Sequence, residues 1–397
     1  MLINLNVFEN LKFNLIYGYI LFLSIYAPVT YYLSTLRFLF SGLALLFVLI
    51  SLVLIKNKLK LIFSFIFVIY LIISVMNFGL VKSLYGFYIY SFFLFSFTIK
   101  KHYIIDFLKN NFLFWLIILL INVCAVLYVD KNGSPWLGES IENFGIERKL
   151  SKEWTANSII RNPGFSNSSV SVACLILLSY LMSFITLNNN YNKISYIFFV
   201  SLYPLVMYVI FLTTTKTILV TLLISTIFLI LPVSYVQFLS KSIILLMAII
   251  SYFFFFSERE EYYGNNTLFI RMYDMWPSAF EILDSSVSIF FGKGFSSIGT
   301  AQNFYNPYQL SNPGDNLLVY LYVCFGLFSI LSCIYFLLKF LNNNIKIPTI
   351  NKKYFYIIFM VLIFNSFTYN MVELSVLSII FGIFLKNSMY PYVMVNK

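Results

Sequence analysis

FLFWLIILLINVCAVLYV, residues 112–129, is eighteen residues without a charge and with a single amide, Asn122. Such a segment has no polar face to show water, and in lipid it satisfies its own backbone only by coiling into a helix. The same reading extends in both directions. Apolar runs recur at about 13–27, 38–55, 59–76, 84–99, 169–187, 194–212, 217–235, 242–256, 317–338, 354–369 and 372–385. At about 20 residues per crossing, this pattern predicts an all-α, polytopic integral membrane protein with about twelve transmembrane helices. Composition agrees. The 397 residues are 60% hydrophobic and 10% charged, with mean hydropathy +0.87, whereas about a quarter of the residues in a soluble domain are charged.

The net charge of +11 sits mostly on lysines in short loops, which in a membrane protein marks the cytoplasmic side and not a nucleic-acid partner. With both termini cytoplasmic, that face receives Lys12, Lys56, Lys58, Lys60, Lys100, Lys101, Lys109, Lys193, Lys241, Lys339, Lys346, Lys352, Lys353, Lys386 and Lys397. The only histidine, His102, joins them. All five arginines, Arg37, Arg148, Arg161, Arg259 and Arg271, fall on the outer side. Residues 1–397 thus read as one integral membrane domain. Its two long outer loops, about 130–168 and 257–316, carry short amphipathic helices and are the places where polar architecture can stand outside lipid. The helix interiors hold almost no ionisable groups, unlike ion-coupled carriers, which keep acids or bases at mid-membrane depth. Cys124, Cys174, Cys324 and Cys333 lie in apolar runs without metal-ligand or disulfide spacing, and no Walker loop or HExxH occurs.

Chemistry is therefore sought in the outer loops. Arg161-Asn162-Pro163-Gly164-Phe165-Ser166-Asn167-Ser168-Ser169 leads straight into an apolar run. Pro163-Gly164 is a turn signal and the Ser/Asn residues are N-cap candidates, so the positive pole of a helix faces outward with Arg161 beside it, a docking place for phosphate. Thr213-Thr214-Thr215-Lys216-Thr217 opens a later run. Its hydroxyls can cap the helix or bond back into it, but a cation in a first turn opposes the helix dipole, so Lys216 calls for an anionic partner, carboxylate or phosphate. In the second loop, Leu268, Met272, Trp276, Ala279 and Leu283 recur at helical spacing, opposite Arg271, Asp274, Ser278 and Glu281. This predicts an amphipathic surface helix, kinked or restarted at Pro277. Gly292-Lys293-Gly294 follows, where backbone can approach a ligand. Asn312-Pro313-Gly314-Asp315-Asn316 closes the loop, with Asp315 read as the N-cap of the next helix and as an acceptor for a sugar hydroxyl. Arg161, Lys216 and Arg271 together suit a multiply charged anion whose hydrophobic part stays in the bilayer, a polyprenyl diphosphate carrying a glycan.

In this order, these residues resemble the bacterial O-antigen polymerases (Wzy) and the related O-antigen ligases. The likeness runs from about Arg161 to the C-terminus. It rests on Arg-x-x-Gly-Phe opening a helix (Arg161, Gly164, Phe165), on Lys216 after hydroxyls, on the loop with Arg271, Trp276, Gly292 and Gly294, and on Gly326. The family usually has arginine where this chain has Lys216, and the ligase branch has histidine near Asp315-Asn316, which favours polymerase here. The resemblance implies glycosyl transfer at the periplasmic face of the inner membrane. A growing glycan on undecaprenyl diphosphate would pass to the terminal sugar hydroxyl of an incoming lipid-linked repeat unit, releasing undecaprenyl diphosphate. Arg161 and Arg271 would stabilise the departing diphosphate, with Lys216, Gly164 and Thr215 beside it, and Asp315 would be the general base; no cofactor or metal is called for. The implied partners are the undecaprenyl-diphosphate-linked oligosaccharide, the lipid bilayer, a chain-length regulator and a flippase. Capsule polysaccharide polymerase is a neighbouring reading. A lipid-linked oligosaccharide flippase is the alternative from another class, expected to carry its charge along a central cavity.

Overall fold

Backbone amides removed from water must find partners within the chain, and the apolar runs do so as helices. In the computed structural model the described residues are mostly helical. The structure describes residues 5–53, 58–99, 111–143, 146–151, 155–156, 159–188, 192–260, 266–305, 314–342 and 349–389. Lys56, Lys100, Lys101, His102, Lys109, Asn312, Pro313, Lys346, Lys397 and the two termini lie outside the described residues, as do the side chains of Arg37, Lys58, Lys60 and Arg148. In chain order the helices are α1 (Leu5–Ser24), α2 (Tyr26–Tyr32), α3 (Leu36–Val53), α4 (Lys58–Phe78), α5 (Leu80–Ile89), α6 (Ser91–Thr98), α7 (Phe112–Asn132), α8 (Ser169–Asn188), α9 (Asn192–Leu212), α10 (Lys216–Ile230), α11 (Val233–Phe255), α12 (Thr267–Ile270), a π turn (Arg271–Met275), α13 (Trp276–Glu281), α14 (Ser286–Phe291), α15 (Thr300–Tyr305), α16 (Leu317–Phe325), α17 (Leu327–Asn342), α18 (Thr349–Ser366) and α19 (Ser375–Met389).

Among the described residues, α7, α8, α9 and α11 are each long and apolar enough to cross a membrane. Two bent pairs pass only together, α1 with α2 (86°) and α5 with α6 (51°), giving four to six candidate spans. Shorter apolar helices lie within α3, α4, α10, α17 and α19. The sequence reads 84–99 and 317–338 as unbroken runs; the structure breaks them at Tyr90 and at Gly326, where φ is +59°. Composition does not reveal such breaks because the residues flanking them stay apolar.

The chain divides into two compact units. In the first, Met1–Ala44 with Ile99–Leu231, α8 is the central helix, buried over 94% of its apolar window and packed against α7, α9 and α10. A helix apolar on every side belongs in such a position. The long segment between α7 and α8 departs from expectation. Its described part holds no amphipathic helix but two antiparallel hairpins, β1 (Ser140–Asn143) with β2 (Ile146–Lys149) and β3 (Thr155–Ala156) with β4 (Ile159–Ile160). The β-branched Ile141, Ile146, Thr155, Ile159 and Ile160 favour extended backbone.

In the second unit, Leu45–Thr98 with Pro232–Lys397, α18 is central, with every residue from Tyr354 to Leu362 buried. It packs on α11 and α19, and α19 lies on α6, where a side chain at Gly382 would come 2.9 Å from Ser96 Cβ. Of the apolar face read from its sequence, the large loop buries Trp276, Ala279 and Leu283 and leaves Leu268 and Met272 half-buried. Its helix restarts with Pro277 in the first turn of α13. Proline has no N–H to give the carbonyl four residues back; that carbonyl, of Tyr273, accepts from Glu260 N at 3.0 Å instead, and Trp276 N reaches back to Arg271 O across the π turn. Farther on the loop enters the core, with Phe295 and Ile298 fully buried. Phe295 meets Tyr90 and Phe325 edge-on at 4.9 and 5.5 Å between ring centroids.

Candidate functional site

In the first unit, the segment from Arg161 to Ser169 forms the entry to α8, and neighbouring groups clamp its backbone. Gly164 takes φ +54°, a left-handed turn that glycine adopts without penalty. Asn162 spans the turn: its Oδ1 accepts from Gly164 N and its Nδ2 donates to Val126 O, both at 2.9 Å. Trp136 Nε1 donates to Gly164 O at 3.2 Å, Ser151 Oγ to Ser166 O at 2.9 Å, and Ala27 N to Phe165 O at 2.8 Å. Phe165 packs against the cluster of Ala27, Val129, Trp136 and Leu150. As the helix begins, Ser168 Oγ accepts from Ser171 N at 3.2 Å and acts as its N-cap. This corrects the sequence reading of Gly164 as a diphosphate ligand. Its amide and carbonyl are both engaged, and an added Cβ would meet Val126 and Val172 at 3.2 Å, so Gly164 serves the turn.

What remains unengaged is chemically pointed. Arg161 Nε, Ser166 Oγ, Asn167 Oδ1 and Ser169 Oγ are buried and have no hydrogen-bond partner among the described residues, and Arg161 has no ion-pair partner there. A buried donor left unpaired costs about 1–3 kcal/mol, more for a cation. Arg161 Nε and the hydroxyls of Ser166 and Ser169 are donors of the kind an oxyanion accepts, beside the positive end of a helix of 20 residues, whereas Asn167 Oδ1 is an acceptor.

Lys216 opens α10 of the same unit. It is exposed and has no carboxylate partner among the described residues, so an anion remains its missing complement. Thr215 is the residue before the helix, but its side chain makes no cap bond. Thr213 Oγ1 gives its proton to Ile210 O at 2.6 Å, so Thr215 must donate its own to Thr213, 2.7 Å away. That commits the proton a phosphate contact would use, contrary to the expectation for Thr215. Thr214 between them has φ +55°, a left-handed conformation that costs a branched side chain roughly 1–2 kcal/mol.

In the second unit, the structure brings two residues picked from the sequence together: Arg271 Nε donates to Asp315 Oδ2 at 2.9 Å, with 19% and 25% of their side-chain surfaces exposed. The Arg271 guanidinium lies over the ring of Tyr369, 5.8 Å from its centroid. Asp315 is not the cap of α16. Asn316 takes that place with extended backbone (φ −98°, ψ 127°), its Oδ1 accepting from Leu318 N and Val319 N at 2.9 and 3.3 Å, which leaves Asp315 free to face Arg271. Arg259 bridges Asp274 at 2.6 Å and Glu281 at 3.5 Å. Gly292 and Gly294 are also not ligand approaches: Lys293 N and Gly294 N donate to Val323 O and Cys324 O at 3.0 Å, so the close approach is to backbone at the end of α16.

Sequence reasoning passed over the break between α18 and α19. Tyr369 lies there under Arg271. Glu373 of the same break accepts from Thr300 N at 2.8 Å and from Thr300 Oγ1 at 2.5 Å. An acid at the start of an apolar run was the available signal, since a carboxylate so placed needs donors. No protein-family model, curated protein or solved structure matches this chain, so its chemistry is read from these residues alone.

Proposed function

We propose that the protein is an O-antigen polymerase. In this reading about twelve helices cross a bacterial inner membrane, the termini are cytoplasmic, and the loops around 130–168 and 257–316 lie on the periplasmic face. There the enzyme joins undecaprenyl-diphosphate-linked oligosaccharide repeat units and releases undecaprenyl diphosphate. The observation that carries the reading is the entry to α8. Arg161 Nε and the hydroxyls of Ser166 and Ser169 are buried there without partners among the described residues, and a diphosphate supplies acceptors for them. As the glycosidic bond to phosphate breaks, negative charge grows on the leaving oxygen, and preorganised cations stabilise that charge more than the ground state. In the second unit, Arg271 and Asp315 form a candidate pair of their own, in which the Asp315 oxygen not bonded to Arg271 Nε can accept a sugar hydroxyl's proton. Lys216 supplies a further cation.

The test is reconstitution in proteoliposomes with purified lipid-linked repeat unit, read as a glycan ladder on a gel. Arg161→Gln is expected to insert at wild-type abundance and yield no ladder, with Arg161→Lys intermediate because it keeps charge without the fork. A wild-type ladder from Arg161→Gln refutes the assignment. One observation favours a flippase as the second reading: α1–α2 and α5–α6 are sharply bent pairs, and transporters build substrate sites from interrupted helices. Deletion separates the two, since loss of a polymerase leaves lipid A core capped by one repeat unit and loss of a flippase leaves it uncapped.

A further inference from the structure

Glu373 has no role in the reaction as drawn above, and its surroundings are specific. It sits in the break between α18 and α19, where two asparagines organise successive turns: Asn365 O accepts from Thr368 N and Tyr369 N, and Asn370 O from Glu373 N and Leu374 N. Its two carboxylate oxygens are divided between the amide and the hydroxyl of one residue, Thr300, at 2.8 and 2.5 Å. Only glycine fits before that residue. Gly299 has φ +80°, and an added Cβ would run into Glu373 Oε1 and come within 3.0 Å of Tyr320. Gly314 lies against the same ring: its added Cβ would be 2.9 Å from Tyr320 Cδ2, 3.2 Å from Ile298 and 3.5 Å from Gly299 N. The next residue, Asp315, holds Arg271, and Arg271 lies over Tyr369, four positions before Glu373. A chain of neighbours thus runs from Glu373 through Thr300, Gly299, Gly314, Asp315 and Arg271 to Tyr369, which lies in the same break as Glu373.

We propose that Glu373 is the positioning residue of the Arg271–Asp315 pair, its carboxylate fixing Thr300 so that Gly299 and Gly314 seat Asp315 against Arg271. The inference rests on the polymerase reading for the role of that pair. It requires both donors of Thr300 and both oxygens of Glu373, which a mere helix-capping role does not. Loss of either side lets the pair shift while the substrate's lipid and phosphate contacts remain, so turnover falls and apparent affinity for the lipid-linked donor does not. A displacement of about an ångström at reacting groups costs on the order of a hundredfold in rate.

The experiment uses the full-length protein in proteoliposomes with the purified lipid-linked repeat unit, measuring kcat and KM from initial rates of chain extension and the thermal midpoint of each variant. Glu373→Gln and Thr300→Val are each expected to lower kcat by about tenfold or more with KM and thermal midpoint close to wild type. Thr300→Ser, which keeps both donors, should restore wild-type turnover, and the Glu373→Gln/Thr300→Val double variant should be no slower than the slower single one. Arg271→Gln is run alongside. If Arg271→Gln is inactive and Glu373→Gln turns over as wild type, the positioning role is overturned and the polymerase reading stands; if Arg271→Gln is fully active, the reading beneath it fails. A fall in thermal midpoint that accounts for the lost activity of both Glu373→Gln and Thr300→Val also overturns positioning in favour of simple stability.

Discussion

Replacing Asn316 with alanine should cost the second unit far more than replacing its neighbour Asp315. The Asn316 side chain is 1% exposed and all of its polar capacity is used. Its Oδ1 caps α16 through Leu318 N and Val319 N, and its Nδ2 donates to Ser251 Oγ at 2.9 Å and to Phe367 O at 3.4 Å. Loss of the cap costs about 1 kcal/mol. The two donated bonds contribute about 1 kcal/mol each, and their partners are left buried. The expected destabilisation is therefore about 3 kcal/mol, a drop in thermal midpoint of roughly 10 °C for a unit of this size. Asp315→Ala removes one partly exposed ion pair, worth about 1 kcal/mol or less, and its midpoint should move by only roughly 3 °C while the glycan ladder disappears. Asn316→Ser keeps a capping oxygen and loses the Nδ2 donor, so it should fall between. The assay is thermal unfolding of detergent-solubilised protein followed by near-UV circular dichroism. Equal losses for Asp315→Ala and Asn316→Ala would refute the assignment of the cap to Asn316 and return it to Asp315.

Gly326→Ala should abolish accumulation of folded protein, because its Cβ would lie 2.5 Å from the Phe290 carbonyl carbon and 2.6 Å from Gly292 N at φ +59°. Gly42→Ala, a helical position with nothing within 4 Å, should be neutral or stabilising by up to about 1 kcal/mol; quantitative immunoblotting of membranes compares the two. Lys293 donates to Asp284 Oδ2 at 2.8 Å and holds that carboxyl below its ordinary value. A depressed carboxylate adds stability above its unfolded pKa, about 4, and loses it as pH falls through the lower folded value. Acidification below about pH 4 should therefore cost wild type up to about 1 kcal/mol that Asp284→Asn does not lose, measured by thermal midpoint against pH. Trp136→Phe should retain the packing on Phe165 but lose the bond to Gly164 O, lowering stability by about 1 kcal/mol and loosening the entry to α8, with a matching loss of ladder length in the reconstituted assay.

The apolar runs alone determined that the chain is helical and has segments suited to a membrane, because a long uncharged stretch has no other way to satisfy its backbone. Local chemistry also carried the restart at Pro277, since the missing N–H acts within one turn. The buried face of Trp276, Ala279 and Leu283 was equally legible, as periodicity reports which side of a helix meets the core. Sequence likewise marked Arg161, Arg271 and Asp315 as charges that needed an explanation. Only the tertiary structure decided which partners they have. Whether Asp315 or Asn316 caps α16 turns on one residue of backbone register, and whether glycines 292 and 294 meet ligand or protein depends on the segment 323–326, about thirty positions away. Thr300 and Glu373 are 73 residues apart, a pairing no local pattern encodes. The helix breaks at Tyr90 and Gly326 arise from what packs across them, and hydropathy, which averages over a window, is blind to a contact made by a single glycine.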